Sequence, residues 1–247
     1  LYKKVSKGFL FQVPLPLYLT GGGGQYGGIS APYSNLGEME NRGYDLTLGY
    51  NTKGSNDFTW SSTLVFSHYK NELTSIQSGL NLFEQVNTNG YLPVVATNTV
   101  VGSAIGLFYG YQTDGIFNDL TELNAAPLQF GQTVGTAPGQ TYLGDVKYKD
   151  VNGDGAVDAD DRTFISNPHP DFTFGFTNNF KYKDFDLSIF LQGSSGNDIL
   201  NLTQRSGTAN SMLGQNQLVE ALDFWTPTNT DTNIPRPINI ENNTNYN

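Results

Sequence analysis

The sequence predicts an all-β chain whose long strands form part of a transmembrane β-barrel, and three observations carry that prediction. Apolar and polar residues alternate with period two over four extended segments. Those segments join in pairs through short turns, while the stretches between and after the pairs run for tens of residues. No run approaches the roughly 20 apolar residues of a membrane helix, whereas a spanning strand needs only about 9–11 residues and is apolar on one face.

In the first segment, Arg42 to Asn51, apolar side chains fall at Tyr44, Leu46, Leu48 and Tyr50, with Asp45, Thr47 and Gly49 between them. Phe58 to Tyr69 sets Phe58, Trp60, Leu64 and Phe66 against Thr59, Ser61, Thr63 and Ser67. Phe172 to Tyr182 alternates Phe172, Phe174, Phe176, Phe180 and Tyr182 with Thr173, Gly175, Thr177, Asn179 and Lys181. Phe185 to Gly193 alternates Phe185, Leu187, Ile189 and Leu191 with Asp186, Ser188 and Gln192. One or two further strands are expected around Lys4 to Val13 and Ile105 to Phe117. Helix is expected briefly, as one turn at Asp119 to Asn124 and a short helix within Leu213 to Trp225, which ends before Thr226-Pro227. The glycine run Gly21 to Gly24 reads as loop.

Alternation alone fits a soluble antiparallel sandwich equally well, because one sheet face then packs on a core. Three details favour the barrel. The polar faces carry small uncharged residues and glycine, which suits a crowded or wet lumen. The segments exceed the usual soluble length of about 5–6 residues. Tyr and Phe lie toward segment ends, where interfacial girdles sit. Connections agree: Thr52 to Asp57 and Lys183-Asp184 are tight hairpin turns, whereas the chain wanders from about Asn71 to Pro170 and again after Ser194.

Composition removes several function classes. The 247 residues include no cysteine, so Cys nucleophiles, Cys-ligated zinc and disulfides are excluded. A net charge of −10, from 13 Lys+Arg and 23 Asp+Glu, argues against a nucleic-acid surface. With two His and no G-x-S-x-G serine, no catalytic constellation is found, and no enzyme activity is expected.

The most specific chemical motif runs from Asp150 to Asp161. An EF-hand-type loop takes oxygens from positions 1, 3, 5, 7, 9 and 12 with glycine at 6. Counted from Asp150, these are Asp150, Asn152, Asp154, the Ala156 carbonyl, Asp158 and Asp161, with Gly155 sixth. Position twelve is Asp rather than bidentate Glu, and no flanking helix pair is expected. The two readings are a Ca²⁺ site that stiffens an exposed loop and a plain Asx-type turn whose side chains bond their own backbone. His68, on an apolar face, reads as packed or interfacial, and His169 lies in a loop between two prolines.

Several strings, in order, resemble the SusC/RagA family of TonB-dependent outer-membrane transporters of Bacteroidota. They are Asn35-Leu36-Gly37 with Asn41-Arg42-Gly43-Tyr44-Asp45-Leu46, and Gly106-Leu107-Phe108-Tyr109-Gly110-Tyr111 with Asp114-Gly115-Ile116-Phe117. Then come Gly144-Asp145-Val146-Lys147-Tyr148-Lys149-Asp150, Asp161-Arg162, Asn167-Pro168-His169-Pro170, Phe190-Leu191-Gln192-Gly193-Ser194, and Phe224-Trp225-Thr226-Pro227 through Asp231 to Arg236. Ser166 stands where the family usually has Gly.

The resemblance implies a 22-stranded barrel with an N-terminal plug in the bacterial outer membrane. Its work would be TonB-energised import of glycan oligosaccharides or peptides beneath a SusD-like surface lipoprotein. Residues 1–247 are then expected to be part of one barrel domain of a longer polypeptide, without the plug, the TonB-interacting segment or the closing strands. Loops at 71–104, 118–170 and 194–247 would face lid and substrate, with Tyr109, Tyr111, Gln192, Asn197 and Asn201 as candidate contacts, although packing between loops is the role expected of any one of them. The rival expectation is a calcium-stabilised cell-surface β-sandwich that binds glycans or adheres.

Overall fold

The computed structural model describes residues 1–12, 33–52, 57–76, 82–86, 94–137, 139–208 and 216–238. In chain order the strands are β1 (Tyr2–Gln12), β2 (Tyr33–Asn51), β3 (Phe58–Ile76), β4 (Leu82–Val86), β5 (Val94–Thr99), β6 (Leu107–Gly110) and β7 (Thr113–Ile116). Helix α1 (Leu120–Ala125) follows, then β8 (Leu128–Gln129), β9 (Val146–Tyr148), β10 (Ala156–Val157), β11 (Thr163–Ser166), β12 (Phe172–Tyr182) and β13 (Phe185–Ser195). Helix α2 (Leu202–Thr208) and a 3₁₀ turn at Val219–Asp223 come last. The chain divides into two compact units, one drawn from Leu1–Leu82, Asn98–Leu107 and Asn167–Asp198, the other from Phe83–Thr97, Phe108–Ser166 and Ile199–Asn247.

The first unit is built on one antiparallel sheet of order β1-β2-β3-β12-β13. Its register lines up the alternating segments. Leu48, Leu64, Phe176 and Leu191 form one rung across four strands, and Tyr50 to Ser62, Asn178 and Ile189 another. All four predicted segments are therefore strands, and their apolar positions share one face. That face holds Tyr44, Leu46, Leu48, Phe66, Leu64 and Leu191 with their neighbours, while Thr47, Thr63, Thr177 and Gln192 share the other. Two strands run farther than alternation foretold: β2 and β3 are each 19 residues long.

Both short connections lie at the same end of the sheet, the one where β2 ends and β3 begins and where β12 ends and β13 begins. The β12–β13 turn leaves Tyr182 paired to Phe185, and Lys183 takes a positive φ of 53° to close it. The far end leads into the long connection between β3 and β12. There residues 98–107 hydrogen-bond to β3: Leu73, fully buried, donates to Ser103 and accepts from Gly102 (2.8 Å each), and Ile105 N–H donates to the Asn71 side chain (2.9 Å). The same face seats His169, which meets the Tyr69 hydroxyl at Nδ1 (3.1 Å) and the Ile105 carbonyl at Nε2 (2.7 Å). Gly43 sits directly beneath the Tyr2 ring and the His68 carbonyl, so any Cβ there would collide.

The second unit corrects the expectation that the long connection simply wanders. It carries short sheets, with order β11-β6-β5-β4, an antiparallel β7–β9 pair and a parallel β8–β10 pair. Its core is Val146, Tyr148 and Val157, with Tyr111 and Phe130 packed against them edge to face. Thus Ile105 to Phe117 supplies the short strands β6 and β7 instead of a wall strand. Helix α1 matches the predicted turn, with Asp119 capping it by accepting from Thr121 and Glu122 (2.8 Å each). The helix expected within Leu213 to Trp225 is a 3₁₀ turn in its described part, and the glycine run at 21–24 lies outside the described residues.

Candidate functional site

Two features carry functional weight, the sheet's apolar face and the acidic loop. On the apolar face, aromatic rings gather at two heights. Toward the far end Tyr44 packs on Phe66 (6.2 Å) and His68 (5.2 Å), and Phe66 stacks on Phe172 (5.1 Å). Toward the short-turn end Trp60 packs on Tyr50 (5.1 Å) and Phe180 (6.0 Å). Phe172 and Phe180 lie eight residues apart on β12, which at about 3.4 Å per residue is roughly 27 Å. At the tilt of about 35–45° of barrel strands that path rises about 19–22 Å, most of the apolar band of about 25 Å between the girdles of a membrane barrel. Between the rings sit aliphatic side chains left open: Leu48 and Leu191 are each 55% exposed. A soluble sheet buries such a face.

The opposite face is mostly polar, with Val65 and Phe190 as apolar exceptions. Ser188 donates to Asn179 (2.7 Å), and Asn179 reaches Ser61 (3.4 Å), beside a shallow groove of about 180 Å³ lined by Thr59, Lys181 and Asp186 among others. Within the apolar face Trp60 Nε1 donates to buried Asn178 (3.1 Å).

The acidic loop folds as a chain of Asx turns. Asp150 accepts from Gly153 (2.6 Å) and Gly155 (2.8 Å), Asn152 from Asp154 (2.8 Å), Asp154 from Ala156 (2.9 Å), and Asp158 from Asp160 (2.9 Å). Gly153 and Gly155 adopt φ of 77° and 91°, the left-handed region that suits glycine. Asp161 is fully buried and accepts from Val151 (2.7 Å), Asn152 (3.3 Å) and Asp158 (2.8 Å). These N–H groups, the Asp158 bond foremost, hold its carboxyl below the usual range against the opposing effect of burial. The side chains at the expected ligand positions thus accept from backbone N–H groups, with Ala156 starting β10 and Val157 anchoring it in the core. The loop's donors are hard oxygens, as Ca²⁺ prefers. Among the described residues, however, no three acidic or histidine side chains converge on one point.

Sequence reasoning missed the ion pairs that brace this unit. Lys147 on β9 bonds Glu122 (2.5 Å) and Asp114 (2.9 Å), which raises the lysine pKa and lowers that of Asp114. Arg236 grips Asp145 through two bonds (2.7 and 2.9 Å), and its N–H donates to Gly144 (2.8 Å). Trp225 lies against Gly144, where a Cβ would meet its ring, and donates to Asn118 (2.7 Å). The candidate loop contacts are mostly spent on packing: Tyr109 against Phe164, Tyr111 beneath Arg162, Asn197 on Ser194 and Asn201 on the α2 backbone. Gln192 stays on the polar face, opposite Gly175.

No protein-family model matches the chain. It is 34% identical over 239 residues, 96% of its length, to TonB-dependent receptor P3 of Formosa agariphila, of which it covers 22%. TonB-dependent receptor SusC of Bacteroides thetaiotaomicron is 25% identical over 169 residues, 66% of this chain and 14% of that protein. The RagAB peptide transporter superposes with a TM-score of 0.64 at 23% identity, over 95% of this chain and 23% of that one. The chain is a segment of a SusC/RagA-type TonB-dependent receptor. It spans about a fifth of the length of the curated relatives P3 and P26 that it matches. The fold is that of a partial all-β barrel, and two of the strings that resemble the family meet in space. Gly144-Asp145 and Phe224 to Arg236 are the two halves of one Gly–Trp and Asp–Arg clasp.

Proposed function

We propose that this chain supplies wall strands and outer loops of an importer in the bacterial outer membrane, taking up glycan oligosaccharides or peptides. The partners of that reading are a SusD-like surface lipoprotein over the loops and the TonB complex that energises opening. The observation that carries it is the open apolar face bracketed by two aromatic bands that span most of the apolar height of a barrel wall. Kinship to TonB-dependent receptors supports transport over catalysis, and likeness to a structure described as a peptide transporter favours peptides as the first substrates to try. Deleting the gene for the full receptor should abolish growth on its cargo, tested with peptide mixtures and oligosaccharides as sole nutrients; undiminished growth on all of them rejects import. Extraction adds a second check, since a wall protein requires detergent while a surface sandwich does not.

We further propose that the acidic loop takes up Ca²⁺ through Asp150, Asn152, Asp154, Asp158, Asp161 and the Ala156 carbonyl. The ion would supply charge neutralisation and stiffening to a loop whose carboxylates otherwise face backbone N–H groups. Titration of the receptor with Ca²⁺ should show uptake that Asp154→Ala weakens; equal uptake by that variant rejects the site.

A further inference from the structure

Above the far-end aromatic band the apolar face of the wall sheet changes character within one residue pair. The pair Tyr44–His68 is aromatic; the next outward-facing rung is Lys3, Arg42 and Lys70, three cations side by side on β1, β2 and β3. At roughly 4.8 Å between strands the row is about 10 Å wide. Like charges directly opposite destabilise a sheet. Nothing in the wall itself requires three of them together, in a chain with only 13 Lys+Arg and a net charge of −10.

The support beneath the row is equally specific. Glu40, on the following rung, has a side chain only 9% exposed and pairs with both Lys3 (2.7 Å) and Arg42. The cations it holds project outward, their side chains 57% and 64% exposed. Lys70 is exposed and makes no ion pair among the described residues. Lys7, 73% exposed, continues the cationic edge above, opposite Glu38. With Glu72 opposite Glu40 on the same face, these two rungs hold three cations against two carboxylates, one positive charge in excess facing away from the sheet. The cations lie one rung beyond the rings that mark the membrane interface, where Lys and Arg meet headgroups.

We propose that the Lys3–Arg42–Lys70 row binds the phosphate of a lipid headgroup in the membrane leaflet on the long-loop side. Arg42 offers a planar fork and the lysines point charges, which together suit a phosphomonoester. The inference rests on the wall reading above and adds to it a lipid class and three named residues.

The test uses the full-length receptor in phosphatidylcholine nanodiscs with and without added lipid A, reading lipid A enrichment around the protein by native mass spectrometry. Lys70→Gln leaves the Glu40 pairs intact and should lower enrichment about fivefold, the value of one interfacial cation. Lys70→Arg should keep it, raised salt should weaken it, and Lys183→Gln at the opposite end should change nothing. Wild-type enrichment in Lys70→Gln overturns the proposal. So does displacement by inorganic phosphate at concentrations equal to those of the lipid, which would make the row a free-anion site. A receptor that never enters the bilayer overturns the wall reading first; one that enters but shows no preference for lipid A overturns this inference alone.

Discussion

Among single residues, Asp161 does the most with the least exposure. A fully buried carboxylate that accepts three backbone N–H groups is a structural anion whether or not a cation joins it. Asp161→Ala leaves those donors without an acceptor and should destabilise the loop by about 2 kcal/mol, seen as faster amide exchange at Val151, Asn152 and Asp158. The loss should persist in chelator, because the acceptor role needs no metal; unchanged exchange would count against it. The pH dependence follows from the lowered pKa. A carboxylate with a depressed folded pKa stabilises the loop fully above its ordinary value of 3.8 and loses that contribution as pH falls through the lower, folded one. Loop protection factors, with the intrinsic pH dependence of amide exchange divided out, should therefore be flat near neutrality and fall only in acid below about pH 4. Asp161 was legible as position twelve of a motif. Its burial was not, because nothing local marks which carboxylate of an acidic run turns inward.

Elements were legible wherever one face stays apolar for their whole length. β12 was read to the residue and β13 to within two because their apolar side chains run nearly from end to end. β2 and β3 were cut short for an intelligible reason. Beyond Tyr44 and His68 the outward face turns to Arg42, Glu40 and Glu38 on β2 and to Lys70 and Glu72 on β3, so alternation vanishes while the hydrogen-bonded ladder continues. The 3₁₀ turn at Val219–Asp223 fails in the opposite sense. Leu218, Leu222 and Trp225 have helical spacing, yet Trp225 alone is buried and Leu222 is 77% exposed. Leu218, at the head of the turn, makes no side-chain cap, so neither packing nor capping extends it. The β7–β9 and β8–β10 pairs are two to four residues long, too brief to show any period. At this scale the β12–β13 hairpin carries a small strain that can be relieved. Lys183 holds φ of 53°, a conformation costing a non-glycine residue roughly 1 kcal/mol. Lys183→Gly should recover up to about that amount, less the entropy glycine adds to the unfolded chain. The readout is a higher unfolding midpoint of the receptor in urea, and a lower one would show that the Lys183 contacts with Tyr182 and Asp57 outweigh the strain.

For the whole molecule the question is what solvent the apolar face meets, and β13 supplies a controlled comparison. Leu187 and Leu191 are the same residue type on the same face of one strand, 56% and 55% exposed. Any argument from burial by protein assigns them equal and modest importance. Bilayer depth separates them. Leu187 lies level with Phe180 and Trp60 in the ring band, whereas Leu191 lies level with Phe176, Leu64 and Leu48 between the bands. An arginine near the bilayer midplane of a β-barrel costs about 2–4 kcal/mol, falling to about 0–1 kcal/mol near the interface. Leu191→Arg should therefore destabilise the receptor in liposomes by several times as much as Leu187→Arg, and Gln192→Arg, on the mostly polar face beside it, should be tolerated. Urea midpoints of the three variants decide the matter. Equal shifts for the two leucines would mean that the face meets water or another protein and that the ring bands do not mark a membrane; a steep difference would place the stretch of β12 between Phe172 and Phe180 in the hydrocarbon region.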